Sequence, residues 1–404
     1  MRRTPSPIQR IIRDQEHFNP VEAKHHPSHR PLRPSPALKP YLQAPPTLSG
    51  QAQCPTHKLA PKAIRTDSSK HPRTIIASQF SPELRKVMML ESLGESISVY
   101  SEHCRLERKI RPVGERMRKE VVILGFAWSE RQLRLGAVLK DFTIKMWDHH
   151  SGFEYEKSML TTSACQQLQT HIFYLDCYDT WATADRTGAL HFWDLLTELP
   201  ARSLSCRHQA PIIALCPIAP QNLLAVVQDC RRVEGGAGEP SVAVYNFYNG
   251  YVVAEIELAR QRIPHTIAYS EQYRCLFMGG LEKKIRLYEL HPEFMDVSGK
   301  GELIGHDNLI TSFALVAGTP MLASADDKGK LKLWDYRTRT CLQTLDLSNR
   351  TAITNLLDMA TVGQLGVFGS RVNYIAYEDS PELQKQGQVV KPRIESVEAD
   401  LSLN

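Results

Sequence analysis

The chain is predicted to be all-β, a seven-bladed propeller of four-stranded antiparallel blades behind a disordered N-terminal tail. Three observations predict this. A strand-like pattern recurs seven times at nearly constant spacing. Sustained helical periodicity is absent beyond about residue 74, where short alternating apolar runs are separated by turn residues. The residues before that point have a composition that cannot build a core.

The recurring unit is a strand ending in an aromatic residue followed by a small or acidic one. It reads ISVYS at Tyr100, IKMWD at Trp147, LHFWD at Trp193, VAVYN at Tyr245, IRLYE at Tyr288, LKLWD at Trp334 and YIAYE at Tyr377. Successive aromatics lie 47, 46, 52, 43, 46 and 43 residues apart, which is the length of a four-stranded blade with its turns. Two units are fuller than the rest: 181–195 is WATADRTGALHFWDL and 322–336 is LASADDKGKLKLWDY, with a hydroxyl, a carboxylate and an indole at one fixed spacing.

Residues 1–72 carry 13 of the 25 prolines, six histidines, and twelve Lys/Arg against four Asp/Glu. The net charge of +5 therefore belongs to this tail, and the remainder is slightly acidic. The domain boundaries expected are a disordered basic tail over 1–72, the propeller over 73–396 and a short C-terminal tail over 397–404. Within the tail, Thr4, Ser6 and Ser35 precede prolines as proline-directed kinase sites do, and His25, His26 and His29 have a spacing that metal binding also uses. Neither pattern has a fold or a partner carboxylate to fix it, so no metal site is assigned. No run of 18 apolar residues predicts a membrane span. Nine scattered cysteines without a C-x-x-C pair fit a reducing compartment, so the expected location is cytoplasmic, with the nucleus open.

The repeats resemble the WD-repeat family: three of the seven strands end in a literal Trp-Asp, and Gly305-His306 precedes Trp334 at the family's distance. The resemblance covers roughly 74–395 and implies a buried hydrogen-bonded set in each complete blade. Blade six would assemble it from His306, Ser324, Asp326 and Trp334, and blade three from Thr183, Asp185 and Trp193 without a matching His. An imidazole, a carboxylate and an indole N–H buried together satisfy one another, where each alone would cost a few kcal/mol. Against the family's compact turn, 326–329 and 185–188 read as lengthened by two residues. Blade two reads as keeping the compact turn, Asp141-Phe142-Thr143, with Leu139 in the hydroxyl position. Blade four offers His208 but ends its strand in Tyr245, and blade five has Glu282 for the Asp and Gly280 for the hydroxyl.

Catalysis is not expected. Ser324, Asp326 and His306 superficially match a nucleophile triad, yet Ser324 lies inside a strand, with no sharp elbow and no oxyanion-hole glycines. No phosphate loop, dinucleotide loop, H-E-x-x-H or calcium loop is present, and GGAG at 235–238 reads as an insertion between strands. No cofactor and no small-molecule substrate are expected. Nucleic acid would have to engage the basic tail, because the propeller's own charge is unfavourable.

Surface recognition of other proteins is the function these features leave. The Asp turns and the loop bearing His306 share one face, and the partner surface expected there comprises Lys140, Arg186, Thr187, Asp307, Asn308, Asp327 and Lys328. Two kinds of assembly are expected. One is a scaffold within a larger complex; CLQT at 341–344 faintly resembles WD-repeat proteins of cilia and flagella, implying a cytoskeletal or ciliary setting. The other is a substrate receptor of a cullin-RING ubiquitin ligase, since Trp334-Asp335-Tyr336-Arg337 resembles a W-D-x-R docking box whose roles would fall on Asp335 and Arg337. Ring closure should come from the first residues of the domain or from 389–396, because an open ring leaves a bare sheet edge.

Overall fold

The computed structural model describes residues 58–67, 74–112, 121–154, 156–160, 167–206, 209–218, 221–229, 241–258, 263–291, 296–347 and 352–377. The tail's kinase-site and histidine patterns, His208, the glycines at 235–238, the segment 389–396 and the C-terminal tail lie outside them.

Alternation of apolar and polar residues, broken every five to nine positions by a turn, yields seven four-stranded antiparallel sheets, six of them meanders of consecutive strands and the seventh completed by a strand from earlier in the chain. The seven sheets are the blades, and every repeated aromatic strand is the third strand of its blade, from Ile97–Ser101 in blade one to Val372–Tyr377 in blade seven. The chain is a seven-bladed β-propeller, with almost no helix among the described residues. No helix there is long and apolar enough to cross a membrane.

Burial falls outward through each blade. In blade six the second strand, Met321–Asp326, is buried at every residue, whereas the fourth, Thr340–Asp346, is exposed or half-buried throughout. Apolar side chains of one blade pack on the next: Trp334 and Tyr336 of blade six join Phe277, Ile285 and Leu287 of blade five. Threonines on first strands add polar ties between blades. The hydroxyl of Thr311 donates to Ala325 O of its own blade at 3.2 Å and to Ile353 O of blade seven. That of Thr354 ties Phe368 O, at 3.2 Å, to Ile75 O of blade one.

The ring is closed by a strand from the region expected to be tail. Leu59–Asp67 pairs antiparallel with Val372–Tyr377 and becomes the fourth strand of blade seven, immediately before blade one begins at Ile75. The ordered fold thus begins before the expected boundary at 73. The charge and proline content of 1–72 averaged over this segment and concealed one anchor, Leu59, which is 1% exposed. The Gln343 side chain of blade six grips its backbone: Leu59 N donates to Gln343 Oε1 at 2.9 Å, and Gln343 Nε2 donates to Leu59 O at 2.8 Å.

Candidate interaction rim and the buried sets beneath it

The blades have two rims. The upper one carries the turns between second and third strands together with the loops that enter each first strand.

Beneath the upper rim of blade six, the four residues singled out from sequence are in mutual contact. Trp334 Nε1 donates to Ser324 Oγ at 2.8 Å, Ser324 Oγ meets His306 Nε2 at 2.7 Å, and His306 Nδ1 meets Asp326 Oδ2 at 3.2 Å. All four are buried. The other oxygen of Asp326 accepts the amides of Lys328 at 3.0 Å and Lys330 at 2.9 Å, so one carboxylate holds both the turn and the incoming loop. Burial alone would raise the pKa of Asp326; the hydrogen bonds from His306 and the two amides outweigh it, leaving the carboxyl below its ordinary 3.8. Ser324, fully buried between an indole and an imidazole, is closed to any substrate.

Blade three completes its set with two residues that the sequence reading did not identify. Trp193 Nε1 donates to Thr183 Oγ1 at 2.8 Å, and Thr183 Oγ1 in turn donates to Gln169 Oε1 at 2.6 Å. Asp185 Oδ2 meets Nε2 of His191 at 3.0 Å, while its Oδ1 accepts from Thr187 N, Thr187 Oγ1 and Ala189 N. The absent loop histidine is thus replaced from two places, a first-strand amide and a third-strand imidazole. The available signal was alternation: His191 lies eight residues beyond Thr183, directly opposite it in the ladder. His191→Ala should therefore cost about 1–3 kcal/mol by orphaning a buried carboxylate oxygen. Lys332→Ala, opposite Ser324 in blade six, should cost under about 1 kcal/mol, because Lys332 is half-buried, bonds one exposed hydroxyl and leaves no buried polar group unpartnered. Urea denaturation of the two variants measures the contrast.

The second-to-third-strand turns are not of the two lengths expected from the sequence. Ser324 pairs with Lys332, Thr183 with His191, Ala137 with Lys145 and Met278 with Arg286, always eight residues apart. The turns of blades two, three, five and six are therefore equal in length. Each closes on a left-handed residue whose amide donates three residues back, at Phe142, Gly188, Lys283 and Gly329. Blade two holds Ala137 at the hydroxyl position and Leu139 at the acid position; Asp141 stands where Lys328 does and bonds only its local Thr143. In blade five the corresponding residues are Met278 and Gly280, and Glu282 takes the Lys328 position, paired with Arg286 at 2.6 Å. Matching an Asp to an Asp shifted the alignment by two, because the sequence alone does not show which residues oppose one another. In blade five the entering loop takes the space of the missing acid: a Cβ on Gly280 would lie 2.9 Å from Ile263 O.

Of the residues expected on the partner surface, Lys140, Arg186, Thr187, Asp307 and Lys328 are exposed, and Asn308 and Asp327 are half-buried. All lie on the upper rim. Thr187 is committed to the Asp185 turn, and Asp307 is paired with Lys330 Nζ at 2.7 Å. The docking-box residues lie on the opposite, lower rim. Asp335 is buried and accepts Arg337 N at 2.9 Å and Thr338 N at 3.3 Å, capping its turn as Asp148 does for His150 and Asp194 for Leu196. A hollow of about 10 Å³ beside Leu281, Glu282 and Arg286 has room for one water molecule, far below the 300 Å³ or more of a small-molecule site.

No family model matches the chain. Among curated proteins, a pre-rRNA-processing protein of Yarrowia lipolytica is 29% identical over 121 residues, which are 27% of this chain and 28% of that protein. Serine-threonine kinase receptor-associated proteins of mouse and human are each 26% identical over 122 residues, 30% of this chain and 33% of theirs. The matched segments thus span about a third or less of each relative. With seven four-stranded antiparallel blades, Trp-Asp strands third in three of them, and a His–Ser–Asp–Trp set buried under blade six, the chain is a β-propeller of the WD-repeat type.

Proposed function

We infer that the protein is a non-enzymatic scaffold that holds protein partners on the rims of a rigid ring. The observation carrying this reading is the division of labour at the second-to-third-strand turns. In blades three and six the hydroxyl and acid groups are spent internally, while Arg186 and Lys328 stand in solvent on a backbone fixed from below. The named relatives, one in pre-rRNA processing and one associated with a kinase receptor, fit an adaptor rather than a catalyst. A cytoplasmic or nuclear setting is proposed with it, in keeping with the free cysteines among the described residues.

Affinity purification of the tagged full chain from its native cell, read by quantitative mass spectrometry, tests this. The expected result is a small set of stoichiometric partners. Recovery of the chain alone, together with labelling of Ser324 by an active-serine probe, would overturn it. The same experiment separates the finer readings: axonemal or cytoskeletal partners favour the ciliary scaffold, and a ligase adaptor lost on Arg337→Ala favours the receptor.

A further inference from the structure

The upper rim of blades five and six combines two exposed aliphatic side chains with cations that have no ion-pair partner among the described residues. Leu281, in the second-to-third-strand turn of blade five, is 46% exposed, and Ile304, at the end of that blade's fourth strand, is 74% exposed. Ile304 sits opposite Lys284 in the ladder, which brings it to the same rim as Leu281. Around them, most charge is already neutralised: Lys284 pairs with Glu302 at 2.7 Å, Arg286 with Glu282, and Lys330 with Asp307. Lys283 and Lys328 stand exposed beyond these pairs. Lys332 reaches across from blade six; its Nζ would be 3.8 Å from a Cβ on Gly305, the residue after Ile304, and hydrogen-bonds only Thr344 Oγ1. The half-buried Asp327 and, opposite Lys330 in the ladder, Asp346 add carboxylates to this rim.

We propose that this rim docks an acidic, aliphatic-bearing segment of a protein partner. An apolar side chain of the segment covers Leu281 and Ile304, and neighbouring carboxylates meet Lys283, Lys328 and Lys332. This deepens the scaffold reading and rests on it. Charge complementarity selects the partner's sign, and the aliphatic pair selects a peptide over a nucleic acid, which would call for exposed aromatic platforms or arginine forks. The rigid turns lower the ordering cost on this side of the interface. The pre-formed ion pairs act as a polar surround, leaving the three lysines outside them to set specificity.

Panning a random dodecapeptide phage library on the immobilised full chain tests the assignment. Enriched peptides should carry Asp or Glu within two positions of Leu, Ile or Phe. Their synthetic copies, followed by fluorescence anisotropy, should bind at least tenfold more weakly to Lys283→Glu/Lys328→Glu and to Leu281→Ser/Ile304→Ser. Binding should weaken with added salt, and Tyr251→Ser, an exposed residue on the lower rim, should leave it unchanged. No enrichment, peptides without acidic bias, binding indifferent to both double variants, or tighter binding of a single-stranded RNA oligomer would each overturn the proposal. Far-ultraviolet circular dichroism and melting confirm that the variants fold. Partners captured equally by wild type and both double variants would sink this site while leaving the scaffold reading standing; absence of any partner would sink the scaffold reading itself.

Discussion

Replacing Asp326 with Ala should destabilise the propeller by about 3–5 kcal/mol, more than any other single substitution on the upper rim. The side chain accepts three hydrogen bonds, from His306 and from the amides of Lys328 and Lys330, and its loss leaves an imidazole nitrogen and two turn amides without their acceptor. The His306 ring, itself buried, must then find water or the loop must lift. Asp141→Ala in blade two is the internal control, because that carboxylate bonds only its own turn and costs about 1 kcal/mol at most. Equilibrium urea unfolding of both variants checks the ratio, and equal losses would show that the buried set is not what holds the blade.

The pH dependence follows from the same geometry. Burial acts to raise the carboxyl pKa of both Asp326 and Asp185, but hydrogen bonds win in each, from His306 and turn amides in one and from His191, Thr187 and Ala189 in the other. A carboxyl whose pKa is lower folded than unfolded contributes stability above the unfolded value and loses it as pH falls through the folded value. The stability gap between wild type and Asp326→Asn should therefore be full near neutrality and shrink below about pH 4.

The fold was legible because seven aromatic strand ends mark seven third strands, and the period survives even where Tyr replaces Trp. The blade-six set was legible for a related reason: all its members fall within one repeat and are chemically distinct. Blade three was only half legible. Its hydroxyl, acid and indole stand in the motif, but Gln169 and His191 are unremarkable in sequence and acquire meaning only when the ladder places one beneath Thr183 and the other against Asp185. The turn lengths were misread because an Asp on either side of a hairpin looks alike until pairing fixes the register. The docking residues Asp335 and Arg337 show the reverse limit: a short motif can be matched while its acid is occupied in capping its own turn.

Chains beginning at Lys58 and at Ser68 should differ sharply in stability although only ten residues separate them. The first retains Leu59–Asp67 and should melt within about 1–2 °C of the full chain, since it keeps every ladder bond of blade seven. The second loses the burial of Leu59, a change costing about 2–5 kcal/mol by analogy with Leu→Ala in a core, and also the hydrogen bonds to Gln343 and from Thr66 to Asn373. It further bares the third strand of blade seven, Val372–Tyr377, whose unpaired edge invites association with other chains. The closing strand is built for a graded fit. Residues 64–67 pair in continuous register with 372–375, then the ladder shifts so that the five steps to Leu59 answer two on its partner, with Pro61, which has no N–H to donate, inside the irregularity. Its hold therefore depends on the two ends: the short ladder at one, and Leu59 with Gln343 at the other. Gln343→Ala should reproduce part of the loss, about 1–2 kcal/mol. A synthetic peptide of residues 56–69 added to the shorter chain should restore a monomer in analytical ultracentrifugation; if both truncations melt alike and stay monomeric, the ring is closed by its blade-to-blade packing and not by this strand.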